Sequence, residues 1–241
     1  MKILVLVAHP DDEVIMCGGT IDKLIKAGHG VSVRFFTHND EAYFGKETQA
    51  RRRARTVQEM KASSRVLGYD GGIVSGFSDM NLQSEKGRLI RAVMAEIRDV
   101  KPDLIISHHA GDKHIDHRTL GEIVPEANFQ SGCDLCGGDT VWNAAAILQG
   151  EIDLEMTTLF AFDTVSALAE EHLARKMDAF VCYESVKDEH KVGDDWLTEK
   201  LRVCAKLRGK TVSAIYGEAF IINNYAPLNA GALATIANAI A

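Results

Sequence analysis

Short apolar runs alternate with longer amphipathic segments through the first half of the chain. Residues 3–7 form a continuous apolar, β-branched run, which is typical of a strand buried on both faces of a parallel sheet. The polar residues 8–13 contain Pro10 and predict a loop, and helical spacing over residues 14–27 then predicts a helix that stops at Gly28. By the same criteria we predict strands at residues 31–36, 72–74 and 104–107, and helices at residues 47–67, 85–100 and about 118–126. This alternation indicates an α/β fold with a mostly parallel, doubly wound sheet and helices on both faces.

The second half of the chain is less regular. Residues 144–148 and 158–162 predict strands, and residues 165–182 and 196–208 predict helices. Residues 214–222 fit either a strand or a helix, because a short apolar run does not distinguish the two. The Ala-rich residues 230–241 predict a terminal helix. Since no internal repeat, linker or low-complexity segment is visible, we expect residues 1–241 to form one domain.

The charge balance argues against several classes of partner. The formal net charge is −7, so we do not expect the protein to bind nucleic acid. The one basic cluster fits a solvated helix face and consists of Arg51, Arg52, Arg53 and Arg55. There is no apolar run of about 18 residues and no signal-peptide pattern, so we expect neither a membrane span nor secretion. The five cysteines suggest no disulfide framework, which favours a cytoplasmic protein with reduced thiols.

Acidic loops follow two of the predicted strands. The first reads Ala8-His9-Pro10-Asp11-Asp12-Glu13, and its three consecutive carboxylates suit a cation, whereas they would repel the phosphate that a Gly-rich loop binds. The second follows residues 104–107 and contains three acid or histidine positions of particular interest: His114, Asp116 and His117. Ligands bind beyond the carboxyl ends of the strands in an open α/β sheet, so both loops face one crevice if the two strands are neighbours.

The two loops together supply the donors that a catalytic zinc site needs. Three protein ligands and one open position are required, and His9, Asp12 and His117 provide two imidazoles and a carboxylate. Asp11 lies beside Asp12 and can accept the proton of a metal-activated water. His114 can stabilise the oxyanion or protonate the leaving amine as an imidazolium.

Two further interpretations concern neighbouring carboxylates. Asp116 can hold the ring of His114 in place through a hydrogen bond. Taken alone, Asp11 or Asp12 could instead cap the helix that begins near Val14. Placement of both acid-and-histidine clusters after buried strands favours the metal site over separate capping roles.

These motifs resemble those of the LmbE/PIG-L family of zinc-dependent de-N-acetylases. The resemblance rests first on Ala-His-Pro-Asp-Asp-Glu at residues 8–13 and His-Ile-Asp-His at residues 114–117. Weaker similarities cover most of the remaining chain, at residues 57–68 with Glu59, 76–79 with Leu82, 101–103 and 216–220. The family has a Rossmann-like fold and removes acetyl groups from N-acetylglucosaminyl conjugates.

The resemblance implies a role for each matching residue. His9, Asp12 and His117 match the zinc ligands, Asp11 the general base, His114 the acid or oxyanion-stabilising histidine, and Asp116 its orienting partner. The resemblance also implies that Asp79 contacts substrate, and a family arginine corresponds loosely to Arg55. We further expect a small amino-sugar conjugate as substrate and a possible homo-oligomer.

The chain also departs from the family pattern. Residues 37–44, including Asn39, replace a Gly-containing turn and are expected to line a substrate pocket of altered specificity. Cys133 and Cys136 form a lone C-x-x-C pair, which fits two free thiols in a surface loop or, as the alternative, a redox or second metal role. Glu184 and Ser185 stand about where family members carry a Ser-Gln pair, which leaves that part of the pocket open.

Other functions are compatible with the same residues. Two histidines and one carboxylate also form the facial triad of non-haem iron oxygenases, and Fe²⁺ could replace Zn²⁺ in a hydrolase. A non-catalytic metal- or sugar-binding protein of the same fold is the third possibility. The acyl group could be larger than acetyl.

Overall fold

The computed structural model describes residues 1–41, 47–137, 140–157, 159–186, 195–223 and 228–240. The strands are β1 (Lys2–Val7), β2 (Gly30–Phe35), β3 (Asp70–Ile73), β4 (Leu104–His108), β5 (Ala146–Gly150), β6 (Thr164–Leu168) and β7 (Tyr216–Asn223). The helices are α1 (Asp12–Lys26), α2 (Gln49–Leu67), α3 (Lys86–Val100), α4 (Ile115–Ser131), α5 (Glu170–Phe180), α6 (Asp195–Thr211) and α7 (Ala230–Ile240). A 3₁₀ helix at Leu82–Glu85 precedes α3.

The strands form one mostly parallel sheet, as the alternating pattern predicts. Their order is β3-β2-β1-β4-β5-β7-β6. The five strands from β3 to β5 are parallel, and β7 runs antiparallel to both β5 and β6. The strand order reverses between β1 and β4, which is the place where open α/β sheets bind ligands.

Alternate residues of β1 bury against helices on opposite faces of the sheet. Ile3, Val5 and Val7 pack in a core that includes residues of α1, α2 and α5. Leu4 and Leu6 pack in a second core with residues of α3 and α4. Because successive side chains of a strand point to opposite faces, a strand between two helical layers must be apolar throughout, as residues 3–7 are.

Helix α4 begins at Ile115 and continues to Ser131, so it is longer at both ends than predicted. It runs through Pro125, which has no N–H and leaves the carbonyl of Gly121 without its helical donor. The amide of Gln149 on β5 donates to that carbonyl at 2.7 Å and replaces the missing bond. The helix therefore tolerates a proline that would ordinarily end it.

The predicted strand at residues 158–162 is wrong, and the predicted helix at residues 165–182 is confirmed over Glu170–Phe180 but wrong at its start. Residues 159–162 form no strand, residue 158 lies outside the described residues, and the strand is β6 at Thr164–Leu168. Thr164, Ser166 and Leu168 are the buried positions of β6, so polar residues occupy its inner face. Because its buried side is partly polar, an apolar pattern does not indicate this strand. Residues 165–168 were therefore predicted as the start of the helix that actually begins at Glu170.

The other predicted elements agree closely with the structure. Residues 214–222, compatible with either element, form β7 at Tyr216–Asn223. The predicted terminal helix is α7, and residue 241 lies outside the described residues. Among the described helices, none combines the length and apolar character needed to cross a lipid bilayer.

Candidate metal centre and active site

The loops after β1 and β4 meet at the carboxyl edge of the sheet. Their strands are direct parallel neighbours, with Ile3 paired to Leu104 and Leu6 to Ser107. The two strands are therefore neighbours, as the prediction of a shared site required, and both acidic loops face one crevice.

Three predicted ligands converge at the base of this crevice. Nδ1 of His9 lies 3.1 Å from Nε2 of His117. The Asp12 carboxylate lies 3.2 Å from each of these nitrogens, through Oδ2 towards His9 and Oδ1 towards His117. Donors of a tetrahedral zinc ion, each about 2.0–2.1 Å from the metal, are about 3.3 Å apart, so this spacing suits a small divalent cation.

A carboxylate lies behind each of the two histidine ligands. Oδ2 of Asp116 is 3.4 Å from Nε2 of His9, and Oδ1 of Asp112 is 3.1 Å from Nδ1 of His117. When each outer nitrogen carries the proton of a neutral ring, the two inner nitrogens face each other with lone pairs that a metal ion can accept. Two buried lone pairs at this separation repel unless a cation lies between them, so the donor set fits a metal ion.

The charges at the centre favour a cation among its carboxylates. Burial opposes charge on His9 and His117, but hydrogen bonds to Asp116, Asp12 and Asp112 and the charge of Asp12 outweigh it and raise the pKa of both rings, so without a metal ion the rings themselves favour the positive form. Burial opposes charge on Asp12, but His117 and His108 outweigh it and hold the pKa of that carboxyl well below its usual range. Burial also opposes charge on Asp112 and Asp116, but their hydrogen bonds to His117 and His9 lower both pKa values. The carboxylates are therefore anionic and favour a positive charge among them.

Asp112 is a candidate site residue that the sequence did not single out. Besides facing His117, its carboxylate accepts hydrogen bonds from the His114 backbone N–H at 2.8 Å and from the Thr157 hydroxyl at 2.8 Å. The available signal was its place in the histidine-rich loop, five residues before a proposed ligand. The Asp116 carboxylate was predicted to orient the ring of His114. It instead lies beside His9 and accepts the backbone N–H groups of Met80 and Leu82.

Asp11 has a strained backbone beside the metal ligands. Its φ of 125° is in a region that side chains disfavour, at a cost of about 1–3 kcal/mol. Its side chain makes no capping hydrogen bond to α1, so the capping alternative does not describe it. Burial, followed by the charge of Asp12, raises the pKa of Asp11 well above its usual range and makes it a stronger base.

His114 stands at the N-terminus of α4 as a neutral ring. Its Nδ1 accepts a hydrogen bond from the backbone N–H of Asp116 at 3.3 Å, so Nε2 carries the proton. Burial, helped by His9 and His117, lowers the pKa of His114 to about 4. The ring therefore donates from Nε2 at neutral pH, and the expected imidazolium does not form in the resting site.

Other groupings of donors share these residues. Ring nitrogens of His9, His114 and His117 lie within 4.8 Å of one another, as do donor atoms of Asp12, His108 and His117. The His108 ring stacks on His117 with centroids 4.2 Å apart, and its Nε2 accepts the backbone N–H of Ala8. His108 thus packs behind the centre with its lone pair already engaged.

A cavity of about 510 Å³ opens above the centre. One wall is polar and includes Asn39, Glu41 and Asp79. The Asp79 carboxylate accepts the backbone N–H groups of Asn39 and Glu41 at 3.2 and 3.0 Å, so it also holds the loop in place. Residues 42–44, predicted to belong to the same loop, lie outside the described residues.

The arginine positions differ from the loose correspondence of the sequence. Nε of Arg55 donates to Glu59 at 3.1 Å, and Arg55 is not among the described residues that line the cavity. Arg52, one turn earlier on α2, is buried, donates to the carbonyl of Asn39 at 3.0 Å, and its charge lowers the pKa of Asp11 against the net rise. The two arginines lie three residues apart on neighbouring positions of α2, but their partners differ, with Arg52 bonded to the loop that carries Asn39 and Arg55 to Glu59 on its own helix.

Cys133 and Cys136 are free thiols after the end of α4. Cys136 is exposed, and Arg98 holds the segment by donating to the carbonyls of Cys133 and Leu135. The described residues place neither cysteine in a group of three metal donors.

The family model described as GlcNAc-PI de-N-acetylase (PIG-L) matches residues 4–128, which is more than half of the 241 residues. The matched stretch contains the ligand triad together with Asp11 and His114. The chain belongs to this family. A probable N-acetyl-alpha-D-glucosaminyl L-malate deacetylase 2 of Bacillus anthracis is 29% identical over 131 residues, which are 52% of this chain and 58% of the relative. The match therefore spans little more than half of that relative.

Two solved structures of similar fold have different activities. One is N,N'-diacetylchitobiose deacetylase from Pyrococcus horikoshii, with a TM-score of 0.76, 21% identity and coverage of 93% of this chain and 84% of that one. The other is GalB, the 4-carboxy-2-hydroxymuconate hydratase from Pseudomonas putida KT2440, with a TM-score of 0.77, 21% identity and coverage of 92% and 95%. Likeness at this identity shows the fold alone, and the pair illustrates that this fold serves both a deacetylase and a hydratase.

Proposed function

We propose that this protein is a metal-dependent hydrolase that removes an acetyl group from the nitrogen of an amino-sugar-type substrate. The observation that carries the proposal is the arrangement around the ligand triad of His9, Asp12 and His117. A strained, buried Asp11 and a neutral His114 lie beside the triad, and both line the same cavity. Family membership supports the same reaction class.

His9, Asp12 and His117 would hold the metal ion. Zn²⁺ suits two imidazoles, one carboxylate and an open position, and Fe²⁺ accepts the same ligands. When bound, such an ion polarises a carbonyl and lowers the pKa of a water from about 16 to about 7.

Asp11 is positioned to accept and then donate the proton that the reaction transfers. We assign its carboxylate as the base that takes a proton from the attacking water, because burial and Asp12 raise its pKa. The same carboxyl then returns the proton to the nitrogen as the C–N bond breaks. The reaction consumes one water and yields acetate and a free amine.

His114 is positioned to stabilise the tetrahedral oxyanion. Its Nδ1 accepts a backbone N–H, so its Nε2–H is free to donate to the developing negative charge. Because the ring is neutral, it adds no positive charge that would repel a metal ion bound nearby. Asp116 and Asp112 act through the ligands, because each orients one imidazole.

The polar wall is our candidate for the sugar subsite. Asn39, Glu41 and Asp79 line the cavity and together present amide and carboxylate groups that can bind hydroxyls. A binding protein without catalysis has no need of a strained carboxylate next to a ligand, so Asp11 favours the enzyme over that alternative.

The test is the appearance of free amine from methyl N-acetylglucosaminide, with Zn²⁺ and with a chelator. Chelator-sensitive release by the wild type, and its loss in Asp11→Asn, would support the proposal. Asp134→Asn is the matched control, since Asp134 is exposed and far from the cavity. If the zinc-loaded wild type releases no amine from this or any other N-acetylhexosamine glycoside, the proposal is wrong.

A further inference from the structure

We propose that the cavity contains an apolar subsite besides its polar wall, which binds a neutral apolar or aromatic substituent of the substrate. This inference rests on the proposed deacetylase function and names the kind of substrate. The substituent can be carried either as an aglycone on the sugar or as an N-acyl group longer than acetyl. Both sources share one chemistry, and the test below separates them.

The subsite is formed by apolar side chains from separate parts of the chain, and all of them except Trp196 belong to or pack against one hydrophobic core. Its members all line the cavity: Ile15, Ile152, Met156, Val186, Trp196 and Leu197. Trp196 is 45% exposed, although a large apolar ring at a cavity is ordinarily covered. A cavity with one apolar wall, a few polar groups and an exposed aromatic ring is the usual form of a small-molecule site.

Lys200 contacts the aromatic ring. Its ammonium lies 5.0 Å from the centroid of the Trp196 ring and bonds to Asp153 at 2.8 Å and to Glu155 at 2.9 Å. The two carboxylates satisfy this ammonium, so its charge is not available to bind an anion. The paired ammonium therefore also makes a cation–π contact with the indole that lines the cavity.

The charge of the cavity selects against anionic substituents. The carboxylates among its described lining residues are Asp11, Asp12, Glu41, Asp79, Asp153 and Glu155. A divalent ion at the centre offsets the first two, which leaves four carboxylates. Among the same described residues Lys200 is the one lysine or arginine, and it is already paired. The charge of these described residues therefore disfavours a substrate that carries a carboxylate or phosphate relative to a neutral one.

The size of the cavity agrees with a substrate larger than one sugar ring. Pockets of roughly 300–1,000 Å³ hold drug-sized ligands, and this cavity measures about 510 Å³. An N-acetyl sugar bound to the polar wall alone would leave the apolar side chains in contact with water.

The experiment compares kcat/KM for four substrates of the zinc-loaded full chain. They are methyl N-acetylglucosaminide, its benzyl analogue, methyl N-hexanoylglucosaminide and the glycoside of malate. We expect either the benzyl or the hexanoyl compound to exceed the methyl reference by about tenfold, the scale of burying one aromatic or aliphatic group. A higher value for the benzyl compound identifies the aglycone as the source, and a higher value for the hexanoyl compound identifies the acyl group.

The matched variants are Trp196→Ala and Leu207→Ala. Both residues lie on α6, but Leu207 is exposed and does not line the cavity. Trp196→Ala should reduce the preference for the apolar compound by about tenfold, and Leu207→Ala should leave it unchanged. Equal loss for every substrate in Trp196→Ala, or a malate glycoside that is the best substrate, would overturn the inference.

A binding measurement separates this inference from the proposed function. The chain has two tryptophans, so Trp142→Phe leaves Trp196 as the one indole fluorophore. In that background, benzyl glucosaminide should change the Trp196 emission and methyl glucosaminide should change it much less. A response to the benzyl compound without amine release from any substrate would keep the subsite and refute the deacetylase. Amine release together with the same change of Trp196 emission for both compounds would keep the deacetylase and refute the subsite.

Discussion

Glu13 is a fully buried carboxylate that tethers the strained base, and its replacement by glutamine tests that role. Its Oε1 accepts the hydroxyls of Tyr183 at 2.7 Å, Tyr69 at 2.8 Å and Ser63 at 3.2 Å. Its Oε2 accepts the backbone N–H of Asp11 at 3.1 Å. In Glu13→Gln the amide oxygen can still face the three hydroxyls, but its NH₂ group then meets the N–H of Asp11, donor against donor.

The magnitude follows from two opposing terms at Asp11. A hydrogen bond to a charged group contributes about 1.5–3 kcal/mol, and the positive φ of Asp11 costs about 1–3 kcal/mol. The two are of similar size, so losing the tether allows Asp11 to leave the strained conformation. A shift of this size lowers the population of the competent state, and with it kcat, by about 10–100-fold.

The assay measures kcat together with the free energy of unfolding in urea for zinc-loaded Glu13→Gln and Tyr183→Phe. Tyr183→Phe removes one hydroxyl donor to Glu13 but leaves the bond to Asp11. It should destabilise the fold by about 1.5–3 kcal/mol and change kcat by less than about twofold. A kcat of Glu13→Gln equal to that of the wild type, or an equal fall in both variants, would refute the tether.

Three further variants test other parts of the account. Asp11→Asn should lower kcat by about two to four orders of magnitude while zinc stays bound, and loss of zinc in a metal analysis would mean that base and ligand are exchanged. Asp112→Asn should weaken zinc binding by about 10–100-fold in competition with a chromophoric chelator, because His117 loses its orienting carboxylate; unchanged affinity would contradict that role. Glu218→Ala should destabilise the protein by about 3–5 kcal/mol in urea unfolding, because it leaves the buried ammonium of Lys176 without the carboxylate now 2.7 Å away; a loss under about 1 kcal/mol would show that the pair is not needed.

The grouping of the candidate metal ligands could be predicted because these residues are local in the sequence. His9, Asp11 and Asp12 lie in one loop after an apolar strand, and His114 and His117 lie in another. The rule that ligands bind at the carboxyl edge of a sheet then brings the two loops together once the strands are neighbours. The structure confirms that adjacency through the pairing of β1 with β4.

The partners of these residues could not be predicted in the same way. Asp116 faces His9 across more than a hundred residues of sequence, although His114 is its near neighbour in the chain. Which arginine acts on the charge of Asp11 depends on how α2 packs against the loop after β1, and the sequence does not separate Arg52 from Arg55 on this point. Such choices are made by tertiary packing, which a local pattern does not encode.

The same limit explains the error at β6. Its buried face carries Thr164 and Ser166, so the polar side faces inward, and apolar alternation pointed to the wrong residues. An edge strand pairs on one side through its backbone, and β7 provides that pairing whatever the side chains are.

The most direct test of the central claim is the isotopic content of acetate formed in ¹⁸O-labelled water. Zinc-loaded protein and an N-acetylhexosamine glycoside should yield acetate with one ¹⁸O per molecule, in step with free amine, and the chelated protein should yield none. That result would show amide hydrolysis by a metal-activated water. Amine without labelled acetate would indicate transfer to another acceptor, and absence of both products from every such glycoside would contradict the account.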